Sequence, residues 1–170
     1  MRPSSSTAIL AGLFCALALS ACHPGPNGGG GAKAPDAGAA FLARNAKTKG
    51  VISLPDGAQY KVIKSGAMNG LRPKPNDEVK FNYELKLIDG TVVQSSWQTG
   101  EPAVFELKNL IPGWIEIMQL MRPGDVWEVY LPPKMAYGEQ GNESIPPNST
   151  LIFKIELIDV LPANDSVGAG

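Results

Sequence analysis

The stretch Leu110-Ile111-Pro112-Gly113-Trp114-Ile115-Glu116-Ile117-Met118-Gln119-Leu120-Met121, closed by Arg122-Pro123-Gly124, constrains this chain most. Pro-Gly marks both of its ends. Proline is tolerated at a helix start but not in a helix interior, so the residues between form one compact helix of roughly two turns. Only Glu116, Gln119 and Arg122 are polar there, which leaves a narrow wet stripe; Trp114, Ile115, Ile117, Met118, Leu120 and Met121 cover the rest. A helix this short is not stable alone in water, so a larger apolar surface has to fold round it.

That surface is read from the strands. Val79, Phe81, Tyr83, Leu85 and Leu87 alternate with Lys80, Asn82, Glu84 and Lys86, the period of a strand with one buried face. Asp89-Gly90 turns this strand back into Thr91 to Gln94. A polar loop, Ser95 to Glu101, leads to a short strand, Ala103 to Leu107, and into the wrapped helix. Val126 to Leu131 puts Trp127, Val129 and Leu131 on one face and stops at Pro132-Pro133. Leu151 to Val160 puts Leu151, Phe153, Ile155 and Leu157 on one face. Upstream, the turn Pro55-Asp56-Gly57 joins Val51 to Leu54 with Gln59 to Lys64 as a hairpin. A short, mostly solvated helix over Ala39 to Lys49 precedes it, with Gly50 as its stop. The fold class is α+β: an antiparallel sheet of about five to six strands wrapped over one short helix. Between the last two strands runs Lys134 to Thr150, a long loop of the kind that carries function.

The ends differ in composition. After Arg2 comes an apolar run, Ala8 to Leu19, of about a dozen residues, too short for a membrane span and suited to a secretion signal. Leu19-Ser20-Ala21-Cys22 follows and resembles a bacterial lipobox, in which the signal is cut before the cysteine and the Cys22 thiol takes a lipid. Cys15 lies inside the signal, so the mature chain has neither a free thiol nor a disulfide and is held by its core alone. Residues 22–38, rich in Gly, Pro and Ala, are a flexible tether; 162–170 is a loose tail. The net charge of -1 offers no basic patch for a nucleic acid.

The chemistry is bounded by what is missing. The sequence holds no GxSxG, GxxxxGK[ST], GxGxxG or HExxH motif. Its only histidine, His23, falls in the tether, so histidine-dependent catalysis and zinc sites are set aside, and no metal or cofactor is expected. Asp77, Glu78 and Asp89 sit at turns and strand edges rather than as an acid-base pair. What remains is aromatic: Tyr83, Phe105, Trp114, Tyr137 and Phe153 sit on different elements that all face the wrapped helix, with Ile111 and Ile145 in flanking loops. Such residues are most often core. Tyr137, between Ala136 and Gly138 in the long loop, and Trp114, directly after Pro-Gly, point instead to a pocket.

At these residues the chain resembles a known family. LIPGW (110–114), MAYGE (135–139), SIPPNSTLIFKIELI (144–158) and LPDGAQYKV (54–62) are similar to the FKBP-type peptidyl-prolyl isomerases, in particular the exported bacterial group that includes the macrophage infectivity potentiators. The resemblance runs from about Phe41 to Val160. It divides the chain into a lipoprotein signal (1–21), tether (22–38), short helix and lead-in hairpin (39–57), isomerase domain (58–161) and tail. It implies a sheet curled over one helix and an apolar pocket floored by Trp114, with Tyr83, Phe105, Leu110, Ile111, Tyr137, Ile145 and Phe153 as walls. It further implies catalysis by Tyr83, Ile111, Trp114 and Tyr137, the Ile111 N–H and the Tyr137 hydroxyl acting as donors. The implied partners are X-Pro segments of exported proteins and a membrane, reached through the lipid on Cys22, on the periplasmic side of a bacterial envelope.

Three departures stand out. Val93-Gln94 replaces the Phe-Asp common in the family, Ala103 replaces a further aromatic, and Asn142 replaces a histidine of some eukaryotic members. A smaller, less polar rim implies reduced catalysis and weak macrolide binding. The alternative is a catalytically weak proline-binding or chaperone module. The long dimerisation helix of the infectivity potentiators is cut to a turn or two, so a monomer is expected.

Overall fold

The computed structural model describes residues 36–163. The signal segment, Cys22, most of the tether and the tail from 164 lie outside the described residues.

Seven strands form one antiparallel sheet, where about five to six were expected: β1 Val51–Ser53, β2 Gln59–Lys64, β3 Glu78–Leu87, β4 Val92–Ser95, β5 Ala103–Glu106, β6 Val126–Leu131 and β7 Leu151–Leu161. Their order is β1-β2-β6-β7-β3-β4, with β5 also on β3. The strongest alternation in the sequence therefore sits deep in the sheet, flanked along its whole length by β7. Along its other side two short strands share the ladder. β5 pairs with Glu78 to Phe81 and β4 with Glu84 to Lys86.

Among the described residues three α-helices accompany the sheet: α1 Ala37–Asn45, α2 Ser96–Thr99 and α3 Pro112–Met118. α1 is capped by Asp36, whose Oδ1 accepts the Gly38 N–H at 2.9 Å. It docks through Gln59, whose amide donates to the Leu42 carbonyl and accepts from Asn45, each at 2.9 Å. α2 is one turn inside the polar loop. It ends at Gly100, whose φ of 79° is the left-handed cap that glycine adopts freely. It stands at the gap between β4 and β5, where the β3 ladder has no strand partner. There Ser96 Oγ accepts the Tyr83 N–H at 2.9 Å and donates to Asn82 Oδ1 at 3.0 Å.

α3 is shorter than its apolar stretch. Leu120 N–H bonds to the Ile117 carbonyl at 2.9 Å and Met121 N–H to that of Met118 at 3.0 Å, so the last turn tightens into three-residue steps. Trp114, Ile117, Met118 and Met121 are buried, while Glu116 and Gln119 keep partial exposure. Gly113 is more than part of a start signal. A Cβ there would meet both methyls of Leu131 at 2.5 Å, so α3 seats on β6 only because this position has no side chain.

The loops are tied by two buried carboxylates. Asp125 accepts from the Gly66 N–H at 2.5 Å and the Arg122 N–H at 2.7 Å; Asp77 accepts from Lys74 at 2.8 Å and Ala163 at 3.0 Å. Asp77 is thus a structural tie. Among the described residues no helix is long and apolar enough to cross a membrane.

Candidate functional site

The helix start, the buried face of β3 and the long loop enclose an apolar cavity of about 200 Å³. β3 contributes Phe81, Tyr83 and Leu85, spaced by two residues and so on one face. β7 places Phe153 directly opposite Leu85. The segment entering α3 supplies Leu110, Ile111 and Trp114; β5 supplies Phe105, β4 Gln94 and the long loop Tyr137.

Trp114 forms the floor. Phe81, Tyr83 and Phe153 surround it with ring centroids at 5.0, 5.4 and 5.1 Å and interplanar angles of 79°, 77° and 81°. Three edge-to-face contacts of favourable geometry hold one ring. Trp114 is 5% exposed, whereas Phe105 at 52% and Tyr137 at 38% stand open at the lip. The site is therefore a rigid floor with an accessible rim.

Its polar groups are few. The Ile111 carbonyl caps α3, accepting from Trp114 N–H at 2.9 Å and Ile115 N–H at 3.1 Å, while the Ile111 N–H has no acceptor among the described residues. The Tyr137 hydroxyl likewise has none there. Burial, then the nearby Tyr137, push the Tyr83 phenol above its usual range, so it stays a neutral donor. Among the described residues no carboxylate and no cation lines this cavity.

Eight of the expected residues are brought together here: Tyr83, Gln94, Phe105, Leu110, Ile111, Trp114, Tyr137 and Phe153. Val93 and Ile145 line a neighbouring groove of about 370 Å³ that shares Leu85, Gln94 and Tyr137 with the cavity. Ile145 is 3% exposed and anchors the long loop. Ala103 pairs with Phe81 in the sheet and lines neither space. Asn142 supports the loop: its Oδ1 accepts from the N–H groups of Ser144 at 2.9 Å and Ile145 at 2.8 Å. Phe81 and Leu85 belong to the site and were not singled out from the sequence. The signal was present, since both share Tyr83's face of β3.

A curled antiparallel sheet closed over one helix, with an aromatic, ring-sized cavity at that helix's start and no nucleophile in it, defines an FKBP-like protein. A family model described as "FKBP-type peptidyl-prolyl cis-trans isomerase" matches residues 70–158, more than half of the chain, and one described as "Domain amino terminal to FKBP-type peptidyl-prolyl isomerase" matches 30–62. The chain belongs to the FKBP-type peptidyl-prolyl cis-trans isomerase family. It is 52% identical over 122 residues to the peptidyl-prolyl cis-trans isomerase Mip of Coxiella burnetii, covering 71% of this chain and 52% of that protein. It is 48% identical to the FKBP-type 22 kDa peptidyl-prolyl cis-trans isomerase of Escherichia coli, covering 73% of this chain and 60% of that one. To the outer membrane protein MIP of Legionella longbeachae it is 46% identical, covering 74% of this chain and 54% of that protein. The chain thus spans about half to three fifths of these relatives' lengths. The crystal structure of FkpA from Escherichia coli superposes with a TM-score of 0.71 at 42% identity, over 74% of this chain and 58% of that one.

Proposed function

We propose that this protein is a peptidyl-prolyl cis-trans isomerase acting on X-Pro bonds of exported proteins as they fold. An X-Pro amide rotates over a barrier of about 18–20 kcal/mol because the planar bond must lose its resonance. The twisted amide is less polar than the planar one, so an apolar cavity favours it over the ground state. A donor placed for the twisted carbonyl adds to the difference. Here the proline ring would lie on Trp114, whose position is held by three edge-to-face neighbours. The unpaired Ile111 N–H and the Tyr137 hydroxyl would be the donors. The observation that carries this reading is the backbone N–H of half-buried Ile111 beside the Trp114 floor, which has no acceptor among the described residues and so is available to a substrate carbonyl.

The envelope setting rests on the apolar segment 8–19 and the Leu19-Ser20-Ala21-Cys22 pattern. It is in keeping with the name of the Legionella relative, an outer membrane protein. A lipid on Cys22 would hold the domain at the membrane through the Gly- and Pro-rich residues ahead of Asp36, facing the periplasm; Ala37 and Gly38, expected in the tether, belong to α1 instead.

The decisive experiment follows cis-to-trans exchange in a proline peptide with the purified chain. A catalysed rate well above the spontaneous one is expected; equality of the two rejects the proposal. For the anchor, radiolabelled palmitate should appear on the wild type and disappear in Cys22→Ser, and label retained in that variant rejects lipidation at Cys22.

A further inference from the structure

The apolar cavity does not stand alone. The groove beside it is larger, about 370 Å³, and is lined by Val93, Asn142, Glu143, Ser144 and Ile145 in addition to the three residues common to both spaces. Leu85, Gln94 and Tyr137 form the shared wall. A peptide whose proline fills the cavity can lead its neighbouring residue past that wall.

The groove's chemistry differs from the cavity's. Among the described residues Glu143 is the sole carboxylate lining either space, and neither lining includes a Lys or Arg. At position 94 the chain has a neutral amide. The described residues hold two ion pairs, Lys86 with Glu84 and Lys108 with Glu106, and Glu143 is in neither. Nor is Glu143 on a loose tip. The Asn142 side chain accepts from the N–H groups of both Ser144 and Ile145, which places Glu143 at the corner of an Asx turn. The Asn142 N–H donates to the Ile145 carbonyl at 2.8 Å, and the Gly141 N–H to the Tyr137 carbonyl at 3.1 Å. Buried Ile145 fixes the turn's far side. The turn thus holds the backbone that carries Glu143, whose exposed carboxylate has no ion-pair partner among the described residues and stands at the edge of a groove sized for a long side chain.

We propose that this groove is a second substrate subsite, taking the side chain next to the proline and selecting a cationic one, Lys or Arg, through Glu143. The proposal rests on the isomerase reading for what fills the cavity. It adds which X-Pro segments are preferred: those flanked by basic residues rather than acidic ones. A point charge at a partly solvated rim discriminates modestly, by about three- to tenfold between Lys and Glu.

Two peptide series test it, with Lys, Leu or Glu either before or after the proline, assayed with the full chain. In one series kcat/KM for Lys should exceed that for Glu by about three- to tenfold at low salt, and the ratio should shrink at roughly 0.5 M salt, where the screening length is a few Å. In Glu143→Gln the ratio should fall to about one, and in Glu143→Lys it should invert. Because the ratio is taken within each variant, a partial loss of folded protein cancels. A wild-type ratio near one in both series, or a ratio unchanged in Glu143→Gln, overturns the subsite. If the wild type turns over none of the peptides, the isomerase reading fails instead. The same peptides titrated by tryptophan fluorescence then decide the subsite, by whether Lys peptides bind more tightly than Glu peptides and lose that advantage in Glu143→Gln.

Discussion

Trp114 and Tyr137 act at the same cavity with opposite burdens. Trp114 is buried in three aromatic contacts, so its ring is both floor and core; Tyr137 is exposed and its hydroxyl binds nothing among the described residues. Tyr137→Phe should therefore leave the urea unfolding midpoint unchanged and lower kcat/KM by about fivefold, the worth of roughly one hydrogen bond. Trp114→Leu should lower stability by about 2–4 kcal/mol and raise KM as well. If the two variants lose stability equally, the division of roles is wrong. A second residue-scale prediction concerns Glu116, on the wet stripe of α3, and Asp56 in the β1–β2 turn. Asp56 Oδ2 is buried with no N–H or O–H partner among the described residues, and a proton shared with Glu116 would satisfy it. The hydrogen bond with Asp56, then burial, then the charge of Asp56 raise the Glu116 pKa to about 7. Burial would raise that of Asp56, but the bonds from Glu116 and the Ala58 N–H, with Lys134 nearby, bring it below its usual value. Between the unfolded value of 4.5 and about 7 the folded chain keeps a proton that the unfolded chain has lost, so stability falls as pH rises through this window. Both groups keep contact with solvent, so the fall should be about 1 kcal/mol or less. Glu116→Gln should flatten it, as read from urea midpoints at pH about 5 and about 7.5; parallel curves for the two proteins would reject the shared proton.

At the scale of elements, α3 is the piece most sensitive to its seat. Gly113 lies against Leu131 with no room for a methyl group, so Gly113→Ala should destabilise by about 1–3 kcal/mol although alanine favours helices intrinsically. Trimming the obstacle tests the cause. The double variant Gly113→Ala/Leu131→Ala should cost less than the sum of its parts, and simple additivity would place the strain elsewhere. The same scale explains why β4 and β5 are separate. α2 interrupts them, and Ser96 takes over the Tyr83 N–H that the missing pair would have bonded, so the strand break itself helps to set a site residue.

For the molecule as a whole, the sheet ends in short edges, three residues of β1 and four of β4, which offer little for strand-to-strand association. With the first described helix only nine residues long, we propose that the protein is monomeric, and light scattering of the purified protein should give the mass of one chain. A dimer mass at micromolar concentration would overturn this expectation. The sequence by itself determined the class of fold, because an apolar helix too short to stand alone and strands alternating with period two leave few ways to bury both. It also marked Trp114, Tyr137 and the loop that holds Tyr137, since an aromatic between small residues in a long loop is hard to explain as packing. What only the tertiary structure decided was adjacency. Phe81 and Leu85 joined the cavity because the Phe81 and Tyr83 face of β3 meets Trp114 at the start of α3; Val93 and Ile145 fell into the groove next door, where β4 and the long loop share a lining. Asp56 met Glu116 across some sixty residues of chain, and Asp77 became a tie rather than an acid. Periodicity is a local property that each segment carries alone, whereas a cavity wall depends on which segments the shared core brings side by side.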